Sequence, residues 1–566
     1  MGSETAPGSP GLPRDIPRPV FSVATQELLD EDIGQDLSAQ DLMVQRRIQE
    51  LEREISALKS RQNILRCPLN RMLPPELLLR IFLLHPTSSG KSKRVHLSHV
   101  CGLWRSIALE SGAFWSDLLF TTTEMTELML NRSKEALLTA RCDRLNWRHR
   151  EIIATVLSQR GRLHTFEISG PDDILPPFEP ARPQAAPYLQ SLSLTKISIP
   201  VWKGLPLGPS VTELRLDSPK VTNRPTVEEL FGSLSEMPLL RTLQLSHLLP
   251  KTAPSHTEWT KQPLSLANLR ELRLRDKLKR VNHFLESVDI SYFATVFVDI
   301  DNANITLESL NKLIDVLGVS WSLDEDEPCR WDDEDSEVQE ISLENFTSSG
   351  INSSPRPSIA MSFSAETVPD LTVTFPRMID SADSDAVTTF LAVLDVKLNL
   401  TQTLLYTTID SCEVLEDPFW AQLGSSVNLE TLTFSKSPAY QDFFIYSAIV
   451  AGGKAFIGDH PDDVILPEEY FPSLSTIRIV ECDLGKDSAY YRGLNAITSY
   501  LETRTDASNT DLTLEINECR NFDEECFSQI KGSYTKTELD WDYDEDMSED
   551  EFDRVDSPSD SDEFYM

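Results

Sequence analysis

The segment Leu240–Leu245 reads LRTLQL, and its spacing returns as YLQSLSL (Leu189, Leu192, Leu194), VTELRL (Val211, Leu214, Leu216) and LRELRL (Leu269, Leu272, Leu274). Apolar residues two apart place their side chains on one face of a short strand and leave the intervening polar residues on the other. The units recur at about 20 to 30 residues, which is the signature of a repeat architecture. Later copies are LETLTF at Leu429–Phe434, LSTIRI at Leu474–Ile479 and LTLEI at Leu512–Ile516, with weaker ones in FATVFV and LTVTF. Helical candidates lie between them at Thr226–Ser235, Leu307–Leu317 and Tyr490–Leu501. One strand with one helix buries too little apolar area to offset chain entropy, so the units must stack with strands in parallel.

Outward from these strands, two stretches interrupt the array, around Asp324 to Pro355 and Tyr440 to Pro467. The first opens on DEDEPCRWDDEDSE at Asp324–Glu337, and its charge and serine content predict a disordered insertion. The repeat spacing resembles leucine-rich repeats. The asparagine that usually follows the strand in that family is missing; Ser246 and Arg275 stand nearby. The bland alternative is an irregular α/β domain of unrelated parallel strands.

Toward the amino end, LPPELLLRIF (Leu73–Phe82) and VCGLWRSIALESGAFW (Val100–Trp115) bracket a polar spacer from Pro86 to Arg94. Pro74 and Pro75 predict a helix starting near Pro75, because a first-turn proline gives up an amide with no partner there. Leu77, Leu78, Ile81 and Phe82 then follow at helical spacing, and Leu97, Val100, Cys101, Trp104, Ile107 and Ala108 repeat it. So many large apolar groups exceed what so small a helical piece hides internally, so a partner or the following domain must cover some of them.

This pattern resembles an F-box. The family's Leu-Pro pair is matched by Leu73 and Pro74, and its later positions by Glu76, Leu77, Ile81, Phe82, Val100-Cys101, Trp104, Ile107 and Trp115. The resemblance implies docking onto the Skp-type adaptor of a cullin-RING ubiquitin ligase. Its contact or core residues are then Leu73, Pro74, Leu77, Ile81, Phe82, Val100, Trp104, Ile107 and Trp115, with Leu73, Trp104 and Trp115 the first mutational targets. The chain is similar to fungal, basidiomycete-type F-box proteins, which often place a helix just upstream. Such a helix is predicted here over 38–66, where Val44, Ile48, Leu51, Ile55, Leu58, Gln62 and Leu65 step by fours and threes as a heptad seam does. About three heptads make self-association marginal, the alternative being a helix folded back onto its own chain.

At 566 residues the chain is long enough for several cores or one elongated array. Its formal net charge of −38 disfavours nucleic-acid binding and favours basic partners. Much of the excess sits in the first insertion and in the run Asp540–Glu563, expected to form a mobile tail. Ser548, Ser557, Ser559 and Ser561 there stand beside acidic residues that acidic-directed kinases prefer. Eight cysteines without a CxxC pair, and no secretory leader, predict reduced thiols and a cytoplasmic or nuclear protein. No apolar run approaches a membrane span of about 20 residues.

Catalytic motifs fail on inspection. Gly90-Lys91-Ser92 has His85 where a phosphate loop needs its first glycine, and Gly452-Gly453-Lys454 precedes no good helix. His96 and His99 lack metal-ligand spacing, no GxSxG elbow occurs, and acidic neighbours would raise rather than lower the thiol pKa of Cys142 or Cys519. No catalytic residue, metal or cofactor is expected.

The expected fold class is α/β, in five parts. Residues 1–37 form a disordered segment, 38–66 a coiled-coil-like helix, 67–120 a small all-α F-box, 121–539 an irregular leucine-rich-repeat-like solenoid, and 540–566 the acidic tail. The expected function is that of a non-enzymatic substrate receptor for a ubiquitin ligase, holding an unidentified protein target. The alternative is a scaffold that holds a basic protein without any ligase.

Overall fold

The computed structural model describes residues 21–30, 37–85, 93–144, 149–170, 186–197, 199, 202–218, 224–251, 263–301, 305–321, 337–346, 356–363, 370–375, 383–412, 415, 417–451, 470–484, 492–507, 512–533 and 538–541. The chain divides into two compact units, Met1–Trp115 with Arg132–Lys134, and Ser116–Asn131 with Glu135–Met566.

The first unit is helical. Its elements are α1 (Val23–Asp30), α2 (Leu37–Arg66), α3 (Pro68–Met72), α4 (Pro75–Leu84), α5 (Lys93–Leu97), α6 (Gly102–Glu110) and α7 (Gly112–Trp115). Helix α1 falls inside the segment 1–37 expected to be disordered. Local polar contacts hold it: Arg47 of α2 donates to Thr25 Oγ1 at 3.1 Å and to Ser22 Oγ at 2.8 Å. Helix α2 gives way to α3 at Cys67, and Pro68 then occupies the first turn of α3. Helix α4 starts at Pro75, as its prolines predict, because neither proline has an amide to leave unpaired.

The second unit is built on one sheet. Its strands are β1 (Asp117–Leu118), β2 (Leu138–Cys142), β3 (Leu163–Ser169), β4 (Ser191–Thr195), β5 (Glu213–Asp217), β6 (Thr242–Ser246), β8 (Glu271–Asp276) and β10 (Thr295–Ile300), with β7 (Leu264–Leu266) and β9 (Val288–Ile290) pairing separately. The sheet continues through β11 (Val338–Phe346), β12 (Arg356–Phe363), β13 (Leu371–Thr374), β14 (Tyr406–Asp410), β15 (Thr431–Ser435), β16 (Thr476–Val480), β17 (Thr513–Asn517) and β18 (Glu538–Trp541). Its 16 strands run in the order β1-β2-β3-β4-β5-β6-β8-β10-β13-β12-β11-β14-β15-β16-β17-β18.

The register explains the leucine spacing. Leu192, Leu214, Leu243 and Leu272 lie side by side on successive strands, and Val296 and Leu371 extend the row. Leu194, Leu216, Leu245, Leu274, Val298 and Val373 form a second row two residues on. Both rows are 0–1% exposed, so each strand contributes two fully buried side chains to one continuous core. Beyond β11 the rows continue through Leu432, Ile477 and Leu514, and through Ile409, Phe434, Ile479 and Ile516.

The sheet departs from an all-parallel solenoid at one place. Strand β12 pairs antiparallel with both β11 and β13. Strand β11 therefore lies within the stretch around Asp324 to Pro355 that its charge marked as a disordered insertion. Val338, Ile341 and Leu343 are buried inward-facing residues, and they make these nine residues a strand despite the acidic run before them. Residues 322–336 and 347–355 lie outside the described residues. The second expected insertion, from Tyr440, likewise begins as a core helix, Ala439–Ala451, because Tyr440, Phe443 and Phe444 are each at most 1% exposed. Gly452-Gly453-Lys454 lies outside the described residues, as do Gly90-Lys91-Ser92 and the serines of the tail. Strand β18 takes Asp540 and Trp541 out of the expected tail, Trp541 pairing with Ile516 and stacking on Phe527 at 5.1 Å.

The helical candidates form at Val227–Ser235, Leu307–Ser320 and Arg492–Ala507. Thr226 caps the first by accepting from the Glu229 amide at 3.2 Å while Glu229 accepts from the Thr226 amide at 3.0 Å, closing a capping box.

A turn device stands where asparagine was missed. The residue directly after the strand is left-handed at Lys196, His247, Ser411, Lys436, Glu481 and Glu518, with φ between 49° and 60°. That reverses the chain within one residue while the amide stays bonded, as in Lys436 N to Val480 O at 3.0 Å. In the C-terminal half the next residue, Cys412, Ser437, Cys482 or Cys519, turns in against carbonyls of the preceding unit. Ser437 Oγ donates to Cys412 O at 2.7 Å, and Cys519 Sγ to Ile479 O at 3.3 Å.

Candidate docking surface

Helix α4 carries apolar residues on two faces, and the fold covers only one. Leu78 and Phe82, one turn apart, are 2% and 1% exposed. Phe82 packs at 4.8 Å from the ring of Trp104 and at 6.2 Å from Phe114, which meets Trp115 edge-on at 5.2 Å. The indole N–H groups are satisfied: Trp104 donates to Asn70 Oδ1 at 2.7 Å and Trp115 to Ala108 O at 2.7 Å. The Arg132 guanidinium lies 4.5 Å over the Trp115 ring. These aromatic contacts lock α4, α6 and α7 into one body.

The other face of α4 presents Leu77, Ile81 and Leu84, at 43%, 51% and 81% exposure. Val100, ahead of α6, and Leu69 and Met72 of α3 are also exposed. Contiguous exposed aliphatic groups on a rigid helix are what a binding surface requires and a solvated face avoids. Of the nine residues singled out in the sequence, Pro74, Leu77, Ile81 and Val100 are exposed, Leu73 and Trp104 half-buried, and Phe82, Ile107 and Trp115 buried. Sequence reasoning missed Leu84, Leu69 and Met72; their apolar character alone could have found them.

On the second unit the outward face of the sheet is polar and charged. Arg273 lies 3.8 Å over the ring of Phe297 and pairs with Glu271. Arg275 pairs with Asp299 at 3.2 Å, Arg141 with Glu167 at 3.0 Å and Arg478 with Glu515 at 2.7 Å.

Burial disfavours the thiolate at four of the described cysteines. Burial pushes Cys412 and Cys519 up to about 12 and Cys482 up to about 11. Cys142 is also raised, first by burial and only third by Asp143. The direction expected from acidic neighbours therefore holds, but desolvation is its main cause. Among the described residues no helix is long and apolar enough to cross a membrane.

No curated protein matches the chain. Residues 71–121 match the family model described as F-box-like, so this chain carries an F-box-like domain there, spanning α4 to α7 and the start of the sheet.

Proposed function

We propose that the chain is the substrate-receptor subunit of a Skp-cullin-F-box ubiquitin ligase. The observation that carries this reading is the uncovered aliphatic face of α4, Leu77, Ile81 and Leu84, with Val100, on an F-box-like domain. F-box domains typically bind Skp-type adaptors. The exposed residues make the adaptor contact, and Phe82, Ile107, Trp104 and Trp115 hold them in place. An interface of this kind buries on the order of 1,600 Å², with a few central apolar anchors dominating affinity. The sheet, a leucine-rich-repeat-type array, holds the target protein on its polar face, and the chain itself breaks no bonds. Its contribution is proximity, which raises the effective concentration of a target lysine near the charged ubiquitin carrier.

The test is capture of a purified Skp-type adaptor by the full chain. Leu77→Asp with Ile81→Asp lowers capture by at least tenfold while the far-ultraviolet circular dichroism and melting temperature stay as in the parent, since both positions face solvent. Undiminished capture by the folded double variant removes this docking surface, and with it the receptor reading.

A further inference from the structure

Helix α2 is the longest helix among the described residues, and most of its apolar seam is exposed. Ile48, Ile55, Leu58 and Leu65 are 49%, 50%, 71% and 59% exposed, and Val44 is 40% exposed. The helix meets its own unit on the opposite side, where Ser60 Oγ lies 3.6 Å from the position a β-carbon on Gly102 of α6 would take. Steps of four and three put Ile48, Ile55 and Gln62 at one core position of a heptad and Val44, Leu51, Leu58 and Leu65 at the other. The seam therefore has the spacing of one strand of a coiled coil, with no second such helix packed along it among the described residues.

Charge complementarity identifies the second strand. Glu52, Glu54, Lys59 and Arg61 flank the seam and are all exposed. We propose that the occupant is a second copy of this chain, its α2 running antiparallel in a two-stranded coiled coil. Ile48 then packs on Leu65 of the second copy, Ile55 on Leu58 and Gln62 on Leu51. Glu54 meets Arg61 of the second copy and Glu52 meets Lys59, each pair occurring twice through the twofold axis. A parallel pair sets Glu54 against Lys59, but it also sets Arg61 against Arg66 and relies on Arg47 to meet Glu52. Arg47 is already engaged by Glu50 at 3.0 Å and by Thr25 and Ser22. The antiparallel register pairs Glu52, Glu54, Lys59 and Arg61 and sets no like charges against one another. Three heptads bury little area, so association is reversible and weak, with a dissociation constant on the order of 10 µM.

Sedimentation of the full chain from about 1 to 100 µM reads the equilibrium directly. The weight-average mass rises toward twice that of one chain, and Leu58→Asp holds it at one chain throughout. Glu54→Lys, on the exposed surface where folding is unaffected, weakens association about tenfold. Adding Arg61→Glu restores it, and adding Lys59→Glu to Glu54→Lys instead weakens it further. A single-chain mass at every concentration, or association that Leu58→Asp leaves intact, overturns the proposal. Restoration by Lys59→Glu overturns the antiparallel register.

Discussion

Leu243 and Leu77 are the same residue in one chain, and the fold treats them oppositely: the first is 0% exposed, the second 43%. The rows through the sheet exclude water from nearly every aliphatic group they contain, while α2, α3 and one face of α4 leave many of theirs exposed. In the sheet, apolar area is consumed in stabilising the chain. In the helices part of it is left exposed, as on a surface open to a partner. Stability and recognition are thus separated along the sequence.

The largest effect within that contrast is expected at a buried charge. Asp276, 1% exposed, accepts from Arg280 at 2.8 Å and pairs with Arg224, which also donates to Leu249 O at 2.7 Å. Asp276→Ala strands both guanidinium groups and lowers unfolding free energy by about 3–5 kcal/mol in chemical denaturation. Next comes the comparison itself. Leu243→Ala costs about 2–5 kcal/mol, as core truncations do, whereas Leu77→Ala changes stability by under about 0.5 kcal/mol and shows its effect in adaptor capture. Equal losses at the two sites would erase the distinction drawn above.

Alkali tests the thiol ladder. Cys412, Cys482 and Cys519 titrate higher folded than the unfolded value near 9, so the folded state keeps protons that the unfolded state releases. Their stabilisation is fully present below pH 9 and is lost as pH rises from there toward 11 to 12. Each thiol contributes at most roughly 1.4 kcal/mol per pH unit across that window. Replacing all three by alanine flattens this part of the denaturation-midpoint profile. The smallest effect is a gain. Thr407, 1% exposed, breaks the buried row, and its hydroxyl finds no partner among the described residues. Thr407→Val raises stability by about 1 kcal/mol in the same assay.

Much of this was legible in the residues. The leucine spacing placed β4, β5, β6, β8, β15, β16 and β17, and Pro74-Pro75 placed the start of α4, because a strand's alternation and a proline's missing amide act within a few residues. The acidic run Asp324–Glu337 misled the reading of Val338–Phe346, since charge describes the run itself and not the strand beside it. The turn residues were invisible: Lys196, His247, Ser411 and Glu518 share no side-chain chemistry, only a left-handed backbone imposed by the strands they join.

The candidate docking surface shows the boundary most plainly. The sequence by itself determined that Leu77 and Ile81 share one face of a helix while Leu78 and Phe82 share another, because that follows from 3.6 residues per turn. Only the tertiary structure decided which face is covered, because Trp104 and Phe114 reach Phe82 from across the chain while Ile81 stays 51% exposed. Likewise the return of β12 between β11 and β13 rests on pairings between residues far apart in the chain. Helical period and strand alternation are local and survive in any isolated segment; burial and pairing are properties of what the rest of the chain brings alongside.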